Sequence, residues 1–181
     1  MNAKLLVTIA ILLGATGAPA QGSEPAAQVT QGISARREAT DFMKAGNPQA
    51  GLAQLRSAAK QGGAAKPQEV QVVGELCTIA RTLTVEKHPS ARDTVLLAAN
   101  EAGSAKAKIS RADAADLDAQ IGELYERCLG DGVTARQYYN SAVAQDGTRP
   151  DASEGLRRLD RFDALVQAKA QENATLRARG K

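Results

Sequence analysis

The sequence predicts an all-α protein: a short array of about three antiparallel helical hairpins closed by a C-terminal capping helix. Three observations carry this. Alanine is abundant and no run of β-branched and aromatic residues suggests a strand; alanine costs least in a helix and lets helix axes approach closely. Apolar residues recur at spacings of three and four, one face of an α-helix. The segment Val73-Gly74-Glu75-Leu76 is echoed by Ile121-Gly122-Glu123-Leu124, and self-similarity at a fixed interval marks repeat architectures.

The chain begins with a targeting pattern. Lys4 precedes the apolar run LLVTIAILL, and Ala18-Pro19-Ala20 has the small-x-small form of a cleavage site. The run is shorter than the ~20 residues that span a bilayer. Residues 1–20 are therefore expected to be a signal peptide. The exported chain then starts at Gln21, reaches a periplasmic or secreted location and keeps no integral membrane segment. Residues 21–33 are polar without periodicity and are expected to be a disordered leader.

Composition narrows the function classes. The 181 residues hold 23 Lys and Arg against 20 Asp and Glu. Loss of Lys4 with the signal leaves 22 against 20. Basic and acidic residues interleave, which is no nucleic-acid footprint. Cys77 and Cys128 are the two cysteines. An even count in an exported protein suggests a disulfide between them. They form neither a zinc set nor a Cys-x-x-Cys redox pair.

In hairpin one, Ser34 is expected to cap a helix to about Ala45 with Ile33, Phe42 and Met43 as apolar positions. Asn47 and Pro48 start its second helix, which carries Leu52, Leu55, Ala58 and Ala59 and ends at Gly62-Gly63. Pro67 opens hairpin two. Val70, Val73, Leu76, Cys77, Ala80 and Leu83 give its first helix the strongest apolar face, so it should be central. His88-Pro89-Ser90 breaks the chain, and Ala91, Val95, Ala98 and Ala102 line the return helix, with Leu96 and Leu97 widening its apolar face. Residues 103–110 look like a linker or frayed end.

Hairpin three begins at Ser110, a cap, with Asp113 and Asp116 placed to favour the first turns. Leu117, Ile121, Leu124, Tyr125 and Cys128 form its stripe, Gly130-Asp131-Gly132 its turn, and Ala135, Tyr139 and Ala142 its return face. Small residues stand opposite rings, so that the helices can press together. A last helix from about Asp151 to Arg177 carries Leu156, Leu159, Phe162, Leu165 and Val166, then turns polar. Residues 34–166 are taken as the repeat domain, with residues 151–166 capping it, and residues 167–181 as a polar helical tail.

Hairpin three resembles the tetratricopeptide repeat. Ile121, Gly122 and Tyr125 match its first part and Ala135 and Tyr139 its second, while Asp118 stands where tryptophan is expected. Gly74 takes the place of Gly122 in hairpin two. The run ARQYYNSAVAQDG is also similar to the related Sel-type repeat. The resemblance implies stacked hairpins with a concave surface that holds a peptide or protein segment. Arg81, Glu123 and Arg127 are the candidate contacts on the inner helices.

The residues able to carry chemistry point elsewhere. His88, the single histidine, has no evident partner and is expected to be an exposed loop residue. Asp113, Asp116 and Asp118 lack the glycine and distal glutamate of a calcium loop and are expected to be a solvated helix start. The glycines of the third turn lack the Lys-Ser/Thr of a phosphate loop. Arg157, Arg158 and Arg161 alternate with Asp160 and Asp163, a self-neutralised face. No catalytic group, metal site or cofactor is expected. The expected role is a non-catalytic binding or scaffold protein of the cell envelope with a protein partner. The alternative is a small enzyme or metal-dependent protein with an unrecognised site. A coiled-coil-like dimer through the last helix is a third idea, built on few heptads.

Overall fold

The computed structural model describes residues 24–61 and 66–179, with side chains from Gly32 onward. The expected signal peptide and the Gly62-Gly63 helix end lie outside the described residues. The described residues are helical, without strands. Seven α-helices follow one another: α1 (Glu24–Lys44), α2 (Pro48–Gln61), α3 (Gln68–Val85), α4 (Ala91–Ala105), α5 (Arg111–Leu124), α6 (Gly132–Gln145) and α7 (Pro150–Arg179). A 3-10 turn, Lys106–Lys108, follows α4, and α5 runs on as a π-helical turn, Tyr125–Leu129. α1 packs on α2, α3 on α4, α5 on α6, and α7 on α6. Contacts also link α1 to α3, α3 to α5 and α5 to α7.

The helix ends follow the local chemistry. Asn47 accepts the Ala50 amide at 3.2 Å before Pro48. Ser110 accepts the Asp113 amide at 3.1 Å and donates back to its carboxylate at 2.7 Å. Gly130 is left-handed at φ 66°, and the Asp131 amide reaches back to the Tyr125 carbonyl at 2.9 Å. Asp131 then starts α6 by accepting the Thr134 amide and hydroxyl at 3.0 and 2.7 Å.

α3 touches α1, α2, α4, α5 and the π-helical turn. Val70, Val72, Val73, Leu76, Cys77, Ile79, Ala80 and Leu83 are buried there, at the centre of the larger core. A second core gathers Ala119, Ala135, Tyr139, Ala142, Ala152 and Leu159 between α5, α6 and α7.

Several expectations are corrected. α1 starts at Glu24, so residues 24–33 are helix rather than a disordered leader, and Ser34 lies mid-helix, donating to Glu38 at 3.1 Å. The buried face of α1 is Ala35, Ala39 and Met43, while Ile33 and Phe42 are exposed. Small residues win there because α2 comes close: a Cβ on Gly51 would meet Met43 Cε at 2.9 Å and the Ala39 carbonyl at 3.0 Å. Gly74 does not repeat the role of Gly122, since nothing lies within 4 Å of its Cβ position. Residues 103–105 continue α4, anchored by buried Ala102 and Ala105. Leu96 is exposed and does not widen the α4 apolar face.

The expected Cys77–Cys128 bridge is not formed; both are free thiols. Burial pushes the Cys77 thiol up to about 12, against a smaller downward pull from Arg81. The raised value disfavours the thiolate at Cys77, the form that attacks in disulfide exchange.

Candidate functional site

Helices α1, α3, α5 and α7 are tied to one another by arginine–carboxylate pairs. Arg36 on α1 holds both oxygens of Glu75 on α3, with Nη2 on Oε1 at 2.9 Å. Arg81 on α3 donates to Glu123 Oε2 on α5 at 2.8 Å. Arg158 on α7 reaches back to Glu126 in the π-helical turn, Nε to Oε1 at 2.9 Å and Nη2 to Oε2 at 2.8 Å. Glu75 and Glu123 stand at the same place in the echoed segments Val73-Gly74-Glu75-Leu76 and Ile121-Gly122-Glu123-Leu124. Each receives an arginine from the preceding odd-numbered helix. All three pairs are half-buried, Arg158–Glu126 the most.

The three sequence-predicted contact residues meet at one node. Glu123 takes Arg81 on Oε2, and Arg127 Nε lies 3.5 Å from Oε1. Arg127 is the most open of the three, with its side chain 59% exposed. The node borders a recess of about 350 Å³. Gln120, Glu123 and Arg127 line one wall; Asp151, Glu154 and Arg158 line the other. Arg157 and Arg161 both turn to Glu154 at 2.9 Å, but the expected self-neutralised face is corrected: Asp160 and Asp163 pair with Arg136 of α6, and Arg158 with Glu126.

The floor of the recess is Tyr139, held in a slot of two glycines. A Cβ on Gly122 would lie 2.8 Å from its ring, and one on Gly155 would lie 2.4 Å from it. The Tyr139 hydroxyl donates to Glu126 at 2.7 Å. The π-helical turn widens the backbone where Glu126 and Arg127 project; such turns are frequent at functional sites. Burial pushes the Glu126 carboxyl up, but Arg158 and Tyr139 outweigh it and hold the group below its ordinary range. Tyr139 is raised by burial and by Glu126, and Arg158 by its bond to Glu126. These shifts stabilise the ionised carboxylate, the neutral phenol and the cation. A general base needs a proton affinity near the working pH, and the downward shift moves Glu126 further from it.

A second network lies behind it, around Asp118. Its side chain is fully buried, not part of a solvated helix start. Lys106 Nζ sits 2.5 Å from Oδ1, and Ser141 and Gln145 both donate to Oδ2 at 2.7 Å. Lys106 also lies over the Tyr138 ring at 5.7 Å, and Tyr138 stacks on Tyr125 at 5.5 Å. Asp116 is likewise engaged, by Arg149 and, at 3.7 Å, by Lys66. Asp113 is spent on capping. Among the described residues no group of three or more His, Cys, Asp and Glu could hold a metal ion.

His88 is half-buried rather than exposed. Its Nδ1 accepts the Ser90 amide at 3.2 Å, shaping the turn between α3 and α4. Ala135 and Ala142 are fully buried, and Tyr125 is half-buried in its stack. Sequence reasoning missed Lys106, Glu126, Gly155 and Arg158 as partners. Gly155 shares the face of α7 that holds Ala152 and Leu159, but nothing local to that face names Tyr139 as its partner.

No protein-family model matches the chain, and no curated protein or solved structure matches it either. Among the described residues no helix is long and apolar enough to cross a membrane.

Proposed function

We propose that this chain is an exported, non-catalytic helical-repeat protein that holds a peptide or protein segment in the bacterial cell envelope. The observation that carries the reading is the equivalence of Glu75 and Glu123. Each lies at the same position of an echoed segment and accepts an arginine from the preceding odd-numbered helix. Repeat arrays are built from such nearest-neighbour contacts between equivalent elements. In this reading α1–α2, α3–α4 and α5–α6 are three stacked hairpins of the tetratricopeptide or Sel type, and the first part of α7 closes the stack. The odd-numbered helices form the inner face, and the recess beside Glu123 and Arg127 opens on it. Arg127 is the first contact for a carboxylate or backbone carbonyl of the partner.

The test is capture from a lightly crosslinked envelope extract, with mass spectrometry of what is retained. The same polypeptide is expected in independent preparations and is expected to be lost with Arg127→Glu, whose helicity by circular dichroism should match the parent. Retention that is unchanged by Arg127→Glu contradicts the placement of the groove. Retention of nothing above background contradicts the binding role.

A further inference from the structure

α7 leaves the fold with an unfinished face. Residues alternating by three and four along it are Ala152, Gly155, Leu159, Phe162, Val166, Lys169, Asn173 and Leu176. Ala152, Gly155 and Leu159 are buried. Phe162, Val166 and Leu176 continue the same face in the open, 64%, 52% and 58% exposed. A Cβ on Gly132, the first residue of α6, would lie 3.2 Å from Leu159, so α6 ends where the exposed stripe begins. Exposed Val133 adjoins Phe162 in a groove that also takes in Arg136 and Gln137. From Asp160 onward α7 extends about 30 Å at the α-helical rise.

We infer that the outer part of this stripe, Val166, Lys169, Asn173 and Leu176, is covered by the same residues of a second copy of this chain, in an antiparallel two-helix pair formed by residues 163–179. Alternation of three and four is the spacing of a coiled-coil seam. The polar residues within the seam set the direction. A parallel pair would oppose Lys169 with its own copy, burying like charges. The antiparallel pair places Lys169 against Asn173 of the second copy, and Val166 against Leu176, twice each about the two-fold axis. Charge agrees along one flank. Asp163 keeps its side chain 60% exposed while bound to Arg136. Arg177 lies two heptads further on the same flank. The antiparallel pair sets Asp163 beside Arg177 of the second copy at both ends. The contact is isologous and closes as a dimer.

The test is sedimentation velocity on the full-length protein as it accumulates in the producing cell, across a concentration series. A concentration-dependent shift from monomer to dimer is expected. Val166→Glu, at a site exposed in the monomer, should abolish the dimer with helicity retained. Asp163→Arg and Arg177→Asp should each weaken dimerisation by about tenfold, the scale of the two exposed ion pairs that each one breaks, and the double variant should recover it. A dimer that survives Val166→Glu overturns the proposal, and failure of the double variant to recover overturns the antiparallel direction. A monomer at every concentration also overturns it; if that monomer co-sediments with anionic vesicles, the stripe serves a lipid surface instead.

Discussion

At the scale of single residues, Tyr139 shows how the fold was encoded. Its ring fills the space that Gly122 and Gly155 leave, and its hydroxyl meets Glu126. The first of these partners was legible in the sequence, because a glycine inside an apolar helical stripe implies close approach. The second was not, because Gly155 lies in another helix and no local pattern pairs it with a ring. Glycine by itself is ambiguous. Gly74, like Gly122, follows a β-branched residue and precedes Glu-Leu, but it faces open space. Alanine at the three glycines is therefore expected to act in opposite directions. Gly122→Ala and Gly155→Ala should each cost about 1–3 kcal/mol by overpacking. Gly74→Ala should add about 0.5–1 kcal/mol, since alanine favours a helix interior over glycine. Chemical denaturation measures all three, and loss of stability in Gly74→Ala would remove the distinction. Asp118 makes the complementary point. A carboxylate near a helix start reads as solvated, and only the tertiary arrangement of Lys106, Ser141 and Gln145 makes its burial tolerable.

At the scale of elements, the helix boundaries were largely legible where a cap or breaker has its own chemistry, as at Asn47-Pro48, Ser110 and Gly130-Asp131-Gly132. They were not legible where packing decides. Residues 103–105 stay helical because Ala102 and Ala105 are buried, and the π-helical turn at Tyr125–Leu129 has no sequence mark. That turn carries Glu126, which staples α5 to α7 through Arg158. The folded protein holds the Glu126 carboxyl below its ordinary value of 4.5. Between the folded and unfolded values the unfolded chain binds the extra proton, so stability rises with pH there. The stabilising contribution of the staple is complete above 4.5 and is lost as pH falls through the lower, folded value. Glu126→Gln removes this titration. The melting temperature of the parent should fall more steeply below pH 4.5 than that of Glu126→Gln; parallel curves would mean that the Arg158 pair contributes nothing to folding.

At the scale of the whole molecule, the all-α class and the central place of α3 followed from composition and period. The three residues chosen as contacts, Arg81, Glu123 and Arg127, do come together at one node. Their mutual pairing was not foreseen, because it arises between helices rather than along one. In the proposed function the odd-numbered helices present a binding face and the even-numbered ones an outer surface. Site-specific photo-crosslinking in living cells tests it most directly, with the reactive side chain placed at Arg127 in one variant and at exposed Asn100 on α4 in another. A discrete polypeptide adduct is expected from position 127 and none from position 100. Equal labelling from both positions, or adducts from position 100 alone, would contradict the account.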